Sequence, residues 1–305
     1  MALLSGGEAN SLVLGTALWG WKVNKEEAFS LLDSYISLGG RLIDTAVNYP
    51  INKKSEDMGL AARWIGEWLA VNPSADIEIW YKLGAIDNLG SSEVGLSYDQ
   101  LSRALCKGQE ILHKKISIVG VHWDNRAIEN FTEIKDTLRF FRGQAEQGYK
   151  IALSGIKSPH LYNKAWPEGA DNWFIQVKDN VLTSDARKHY SACFPRAKYY
   201  AYGINMGGVK SSALPTRGSS LALRGLAPQD VVKRIEALIN KERVQAFSPK
   251  NLNEFALMRA FLIPQISGVV LGPSSVKQLE QSAFYWKNLP VSVNEKARHF
   301  FREFL

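Results

Sequence analysis

Asp44, Tyr49, Lys82 and His122 supply a carboxylate, a phenol, an ammonium and an imidazole. Together they could do acid–base work on a carbonyl. A phenol with a pKa near ~10 is poorly matched to proton donation at neutral pH. A nearby ammonium favours the phenolate and lowers that value, and a carboxylate beside the ammonium keeps it charged and in place. An imidazole can donate a hydrogen bond to a carbonyl oxygen, which orients and polarises it. The four could therefore protonate the alkoxide that forms when a carbonyl accepts a hydride. No side chain supplies hydride, so this chemistry implies a cofactor.

Each of these residues also has a simpler role when taken alone. Asp44 could cap a turn, Tyr49 could be a surface aromatic, Lys82 could neutralise a buried carboxylate, and His122 could be a satisfied core histidine. Their spacing is what unites them, because each stands at or just beyond the end of a strand-like run.

Eight such runs are legible: Leu12 to Thr16, Arg41 to Asp44, Ile77 to Leu83, Ile116 to His122, Lys150 to Ile156, Trp173 to Val177, Lys198 to Tyr202 and Ser267 to Gly272. Several are almost continuously apolar, as strands buried on both faces should be. Amphipathic stretches separate them. Asn24-Lys25-Glu26-Glu27 has the form of a capping box, with Gly39 and Gly40 as the stop. Ser97 with Gln100 opens another helix, and Ser55-Glu56 opens a stretch that ends before Pro73. Glu133 to Gln147 and Pro228 to Asn240 also read as helices. Regular βα alternation predicts a parallel sheet with helices outside it, and eight repeats predict a closed (β/α)₈ TIM barrel. Nothing marks a second domain, so residues 1–305 are expected to form one. In such a barrel, chemistry collects at the C-terminal ends of the strands. Asp44 is expected to end the second strand, with Lys82 near the end of the third and His122 at the end of the fourth. The stretch Asn205 to Ala227 departs from the regular spacing. It is a long Gly- and Ser-rich loop after the seventh strand, with Lys210, Arg217 and Arg224, and is expected to cover a ligand.

The composition, 46% hydrophobic and 22% charged, is that of a soluble globular chain. The net charge of +7, from 37 Lys and Arg against 30 Asp and Glu, suits anionic ligands such as a phosphorylated cofactor. The basic residues are scattered without interleaved aromatics, so nucleic acid is not an expected partner. Cys106 and Cys193 lack metal-ligand spacing, and no metal is expected. There is no secretory leader and no apolar run long enough for a bilayer, so a cytoplasmic protein without membrane attachment is expected.

Several longer motifs carry a resemblance. They are Gly40-Arg41-Leu42-Ile43-Asp44-Thr45-Ala46-Val47-Asn48-Tyr49, Ser55-Glu56 with Gly59, Trp80-Tyr81-Lys82-Leu83-Gly84 and Val119-Gly120-Val121-His122-Trp123. Gly148-Tyr149-Lys150, Gln176, Ala201-Tyr202 and the run from Gly272 through Pro273, Ser274, Ser275, Val276, Lys277 and Gln278 to Leu279 extend it. Over nearly the whole chain the sequence resembles the aldo-keto reductase superfamily. That resemblance implies reduction of an aldehyde or ketone, a sugar or another small carbonyl compound, with NADPH, or NADH, as hydride donor. Asp44, Tyr49, Lys82 and His122 would be the catalytic set. Gln176 would contact the nicotinamide carboxamide and Tyr202 would stack on its ring. Gly15, Thr16, Asp44, Ser158 and Gly203 would also line the cofactor. Gly207 and Gly208 would fold over the pyrophosphate, and Gly272, Ser274, Lys277, Gln278 and Ser282 would lie along the adenosine end. Around Tyr49 and His122, Trp19 and Trp123 would shape the substrate pocket, with Trp21 a weaker candidate.

This sequence departs from the family pattern at four places. Pro50 follows Tyr49 where the family has Gly. Lys157-Ser158 stands for Ser-Asn, Ser282 for Asn, and Ser274 for a basic residue. Three other readings remain open: a barrel aldolase with a Lys82 Schiff base, a cofactor-binding sensor or regulatory subunit with little turnover, and a structural scaffold.

Overall fold

A computed structural model describes residues 11–206, 229–241 and 249–289, together with Phe301 and Phe304. Eight parallel strands close into a barrel in sequence order. They are β1 (Ser11–Gly15), β2 (Leu42–Ala46), β3 (Glu78–Leu83), β4 (Ile116–Val121), β5 (Lys150–Ser154), β6 (Phe174–Lys178), β7 (Lys198–Tyr202) and β8 (Ile266–Leu271). The ring closes where β1 pairs with β8, Val13 opposite Val270. Around it stand α1 (Lys25–Ser37), α2 (Leu60–Val71), α3 (Tyr98–Ile111), α4 (Phe131–Glu146), α5 (Pro159–Ala165), α6 (Asp185–Cys193), α7 (Gln229–Lys241), α8 (Leu252–Leu262) and α9 (Val276–Lys287). Among the described residues no helix is long and apolar enough to cross a membrane.

The expected helix signals work with two corrections. Ser97 and Gln100 form a full capping box, whereas Asn24 caps α1 through Glu27 N alone. Ser55-Glu56 opens only a short 3₁₀ turn. Gly59, at φ 76°, interrupts the chain, and α2 begins at Leu60. A second helix, α8, stands between β7 and β8 where one was expected. Its residues are buried on nearly every side, so no apolar stripe announces it. From residue 207 the expected long loop lies outside the described residues, and with it Gly207, Gly208, Lys210, Arg217 and Arg224.

Side chains alternate along a strand, so every second residue enters the barrel. Val13, Leu42, Trp80, Ile118, Ala152, Phe174 and Tyr200 fill its interior as a cluster distinct from the larger core under the helices. The Trp80 and Tyr200 rings meet edge to face at 5.2 Å, and Phe174 stacks on Tyr200 at 5.9 Å. Two residues further along, each strand reaches the C-terminal mouth. There Asp44 lies beyond Leu42, Lys82 beyond Trp80, Gln176 beyond Phe174 and Tyr202 beyond Tyr200. The apolar plug is therefore the floor of the polar site.

Candidate active site

Asp44 lies within β2, which runs to Ala46, rather than at its end. The side chain consequently enters the barrel and is only 3% exposed. Thr16 fixes the backbone there, donating its hydroxyl to the Asp44 carbonyl at 2.9 Å. That bond occupies the Thr16 hydroxyl in positioning Asp44. Lys82 on β3 is 2% exposed and donates to three acceptors: Asp44 Oδ2 at 2.7 Å, Tyr49 Oη at 2.8 Å and Gln176 Oε1 at 3.1 Å. Gln176 closes the circuit, its Nε2 donating to Asp44 Oδ1 at 2.5 Å. Because Lys82 donates to the Tyr49 oxygen, the phenol proton is free to point elsewhere.

Burial alone would favour neutral Lys82. Asp44 and Tyr49 outweigh it and hold the ammonium above its usual range. Burial also raises the Tyr49 phenol above its ordinary 10.0. Lys82 opposes that shift without cancelling it, and Asp44 adds to it. The sequence-based expectation that Lys82 would leave the phenol lowered is thus reversed, because Tyr49 is only 7% exposed and its anion is poorly solvated. Burial, followed by the nearby Lys82 charge, pushes His122 well below 6.5, so its imidazole is neutral at pH 7. No side-chain hydrogen bond holds His122 among the described residues, and its Nδ1 is buried without a partner. Ring contacts hold it instead, to Tyr49 at 5.3 Å and to Trp123 at 4.6 Å between centroids.

A cleft of about 520 Å³ opens among the loops after β1 to β4, a volume within the usual range for small-molecule sites. Trp21, Asn48, Ile51 and Trp123 contribute to its walls. Trp19, expected in the wall, is 0% exposed and belongs to the core, while Trp21 takes that place. The Tyr49–Pro50 peptide bond is cis. Asn88 straps the loop after Tyr49 with its amide nitrogen, which donates to the Pro50 carbonyl at 3.2 Å and the Lys54 carbonyl at 2.6 Å. Nothing in the sequence around Asn88 announces this, because its partners lie more than 30 residues away.

The residues suggested for a cofactor divide into two groups. Gln176 and Tyr202 face the mouth, and Gly272 leaves backbone open beside it, whereas Gly15 is buried and a Cβ there would stand 3.0 Å from Val270 and 3.1 Å from the Leu271 carbonyl. A Cβ at Gly272 would meet nothing closer than 3.8 Å. Gly203, just past β7, has φ 64°. Ser158 stands apart at the start of α5, donating to the Arg126 carbonyl at 3.2 Å. The β5 hydroxyl that shares the interior face is Ser154, in register with Gln176. At the start of α9, Gln278 Oε1 accepts from the Ser274 N–H and hydroxyl, and Val276 N–H donates to Glu27. Lys277 is exposed there. Ser282 accepts from Asn253, which accepts from Asn205, so its hydroxyl is engaged between helices.

The aldo/keto reductase family model matches residues 11–298. The putative aryl-alcohol dehydrogenase AAD6 of Saccharomyces cerevisiae is 44% identical over 168 residues, covering 52% of this chain and 72% of that protein. The putative aryl-alcohol dehydrogenase AAD14 of the same yeast is 42% identical over 228 residues, 66% of this chain; the match spans 55% of AAD14. Among solved structures, the holo form of aldo-keto reductase AKR11C1 from Bacillus halodurans superposes with a TM-score of 0.71. It is 17% identical, covers 96% of this chain and 91% of its own, and shows the shared fold.

Proposed function

The chain belongs to the aldo/keto reductase family of NAD(P)H-dependent oxidoreductases, and on that premise we propose that it reduces an aromatic aldehyde or ketone to the alcohol, with Tyr49 as proton donor. The observation that carries this reading is the closed circuit of Asp44, Lys82, Gln176 and Tyr49, with the Lys82 ammonium on the phenol oxygen at 2.8 Å. NADPH is the proposed cofactor, and its nicotinamide would supply the hydride to the carbonyl carbon. Gln176 and Tyr202, polar and aromatic groups facing the same mouth, fit a nicotinamide ring. His122, neutral and held by ring contacts rather than by side-chain hydrogen bonds, would orient the carbonyl oxygen. Tyr49 would deliver its proton to the new alkoxide while Lys82 stabilises the phenolate left behind. The plug of Trp80, Phe174 and Tyr200 keeps water from below. Residues 1–305 are read as one catalytic domain. The aromatic preference is supported by the Trp21 and Trp123 walls and by the names of the yeast relatives.

A Schiff base on Lys82 needs the neutral amine, and Asp44 with Tyr49 favours the ammonium, which counts against the aldolase reading. The test is NADPH consumption with a panel of aromatic, aliphatic and sugar aldehydes. Tight NADPH binding without consumption on any of them would favour a sensor instead.

The protonation states give a pH prediction. His122 is depressed, so it stays neutral from 6.5 upward, and Tyr49 is raised, so it keeps its proton up to and beyond 10.0. Both groups are then in the form needed for reduction across that window. The initial-rate kcat should show no titration of either between them. A kcat falling through an inflection between pH 7 and 9 would contradict the Tyr49 assignment.

For the cofactor, Lys277 is the exposed cation at the start of α9, where Glu27 already occupies one backbone N–H. If it meets the additional phosphate of NADPH, Lys277→Glu should raise the Kd for NADPH about 2- to 5-fold relative to NADH, the scale of exposed charge pairs. Equal changes for the two cofactors in a fluorescence titration would remove Lys277 from that role.

A further inference from the structure

The cleft walled by Trp21 and Trp123 has an uneven charge. Lys53 is among its lining residues and no carboxylate is. The Lys53 ammonium has no ion-pair partner among the described residues. The surrounding loops carry Glu56, Asp57, Asp87 and Glu93, none of which lines the cleft or forms an ion pair with Lys53 among the described residues. Asp57 accepts from Asn52 at 2.6 Å, and Asp87 Oδ1 accepts from the Leu89 and Ser91 amides at 2.8 and 3.4 Å.

The placement of Lys53 is specified by its surroundings. Its backbone is left-handed, at φ 62°, a region that a residue with a Cβ holds only when neighbours enforce it. Asn88 pins the Pro50 and Lys54 carbonyls on either side, and Lys54 N–H donates to Asn52 Oδ1 at 3.1 Å. The Lys53 stem passes over Gly90, where an added Cβ would stand 4.0 Å from its Cε. At its other end the cleft reaches Trp123, which touches His122, which touches Tyr49. A small molecule in the cleft could thus meet the Lys53 cation and the Trp123 ring, which packs on the His122 that flanks the proposed proton donor.

We propose that the substrate is an aromatic carbonyl compound with an anionic substituent remote from the carbonyl, a carboxylate being the simplest, and that Lys53 receives it. This assignment rests on the carbonyl-reductase reading of the site. The two indoles accept the ring, and Lys53 selects among rings by charge. Lys53 follows β2 and the cleft is built from residues after β1 to β4. The described segment proposed for the adenosine end follows β8, at the start of α9.

The probes are 4-carboxybenzaldehyde and its neutral methyl ester, methyl 4-formylbenzoate, which share ring and aldehyde. In the wild-type protein with NADPH, kcat/KM should favour the carboxylate by about 2- to 5-fold at low salt, the scale of an ion pair at an exposed site. The preference should shrink as ionic strength rises. Lys53→Met, which keeps the stem, should bring the ratio to about one, and Lys53→Glu should invert it. A ratio near one in the wild type, or one unmoved by Lys53→Met, overturns the proposal. If neither aldehyde is reduced, the carbonyl-reductase reading has failed, and binding decides the rest. Quenching of tryptophan fluorescence should then still report tighter binding of the carboxylate than of the ester, lost in Lys53→Met. Equal binding of both probes overturns the Lys53 site independently of turnover.

Discussion

Tyr49→Phe is expected to lower kcat for aldehyde reduction by about 10²- to 10⁴-fold, the usual contribution of general acid catalysis, with the Kd for NADPH nearly unchanged. The substitution removes one oxygen and little volume. The ring keeps its contacts with His122 and the Lys82 ammonium, which lie 5.3 and 4.8 Å from its centroid. What disappears is the hydroxyl to which Lys82 donates. The ammonium then keeps Asp44 and Gln176 as acceptors, so the buried charge remains paired and folding should be little affected. Measuring kcat beside a fluorescence titration of NADPH separates loss of the proton donor from loss of binding. Near-normal turnover would show that the proton comes from another group.

Breaking the buried ion pair should have the largest effect on stability. Asp44→Asn leaves the Lys82 ammonium 2% exposed without its anion, and removing one partner from such a pair costs about 3–5 kcal/mol. Lys82→Met strands the carboxylate, which still accepts from Gln176. The double substitution removes both charges and should be less destabilised than the sum of the two single changes. Urea unfolding of the four proteins measures that coupling. Additive effects within about 0.5 kcal/mol would mean that the pair does not act as a unit. Turnover should also collapse in Lys82→Met. Burial already raises the Tyr49 phenol, and Lys82 is what opposes that rise, so without it the phenol becomes a still weaker acid.

The ring of strands was legible because each buried strand writes a short apolar run of its own, and the chain repeats that run eight times between helical stretches. The site was legible for a related reason. Asp44, Lys82 and His122 are polar residues at or near the ends of consecutive runs, and consecutive strands are neighbours in a parallel barrel. Helix α8 escaped because burial on nearly every side erases the apolar stripe that marks a helix. Ser158 lies beyond β5 at the start of α5, and it is Ser154 that shares the interior face with Gln176, because facing into the barrel depends on strand register.

By itself the sequence determined the fold class, through periodicity and order along the chain, the family, through the resemblance its motifs carry, and the identity of the chemical groups at the barrel mouth. Tertiary structure alone decided which of those groups touch and how far water is excluded from them. Trp19 and Trp21 both follow the first strand, with Trp21 the weaker candidate in sequence, yet Trp19 packs in the core and Trp21 walls the cleft. Gln176, 94 residues beyond Lys82, joins the Asp44–Lys82 pair only because the barrel closes. The direction of the Tyr49 shift was decided in the same way. Charge proximity favours the phenolate and burial disfavours it, and only the depth of the side chain in the folded barrel sets which is larger.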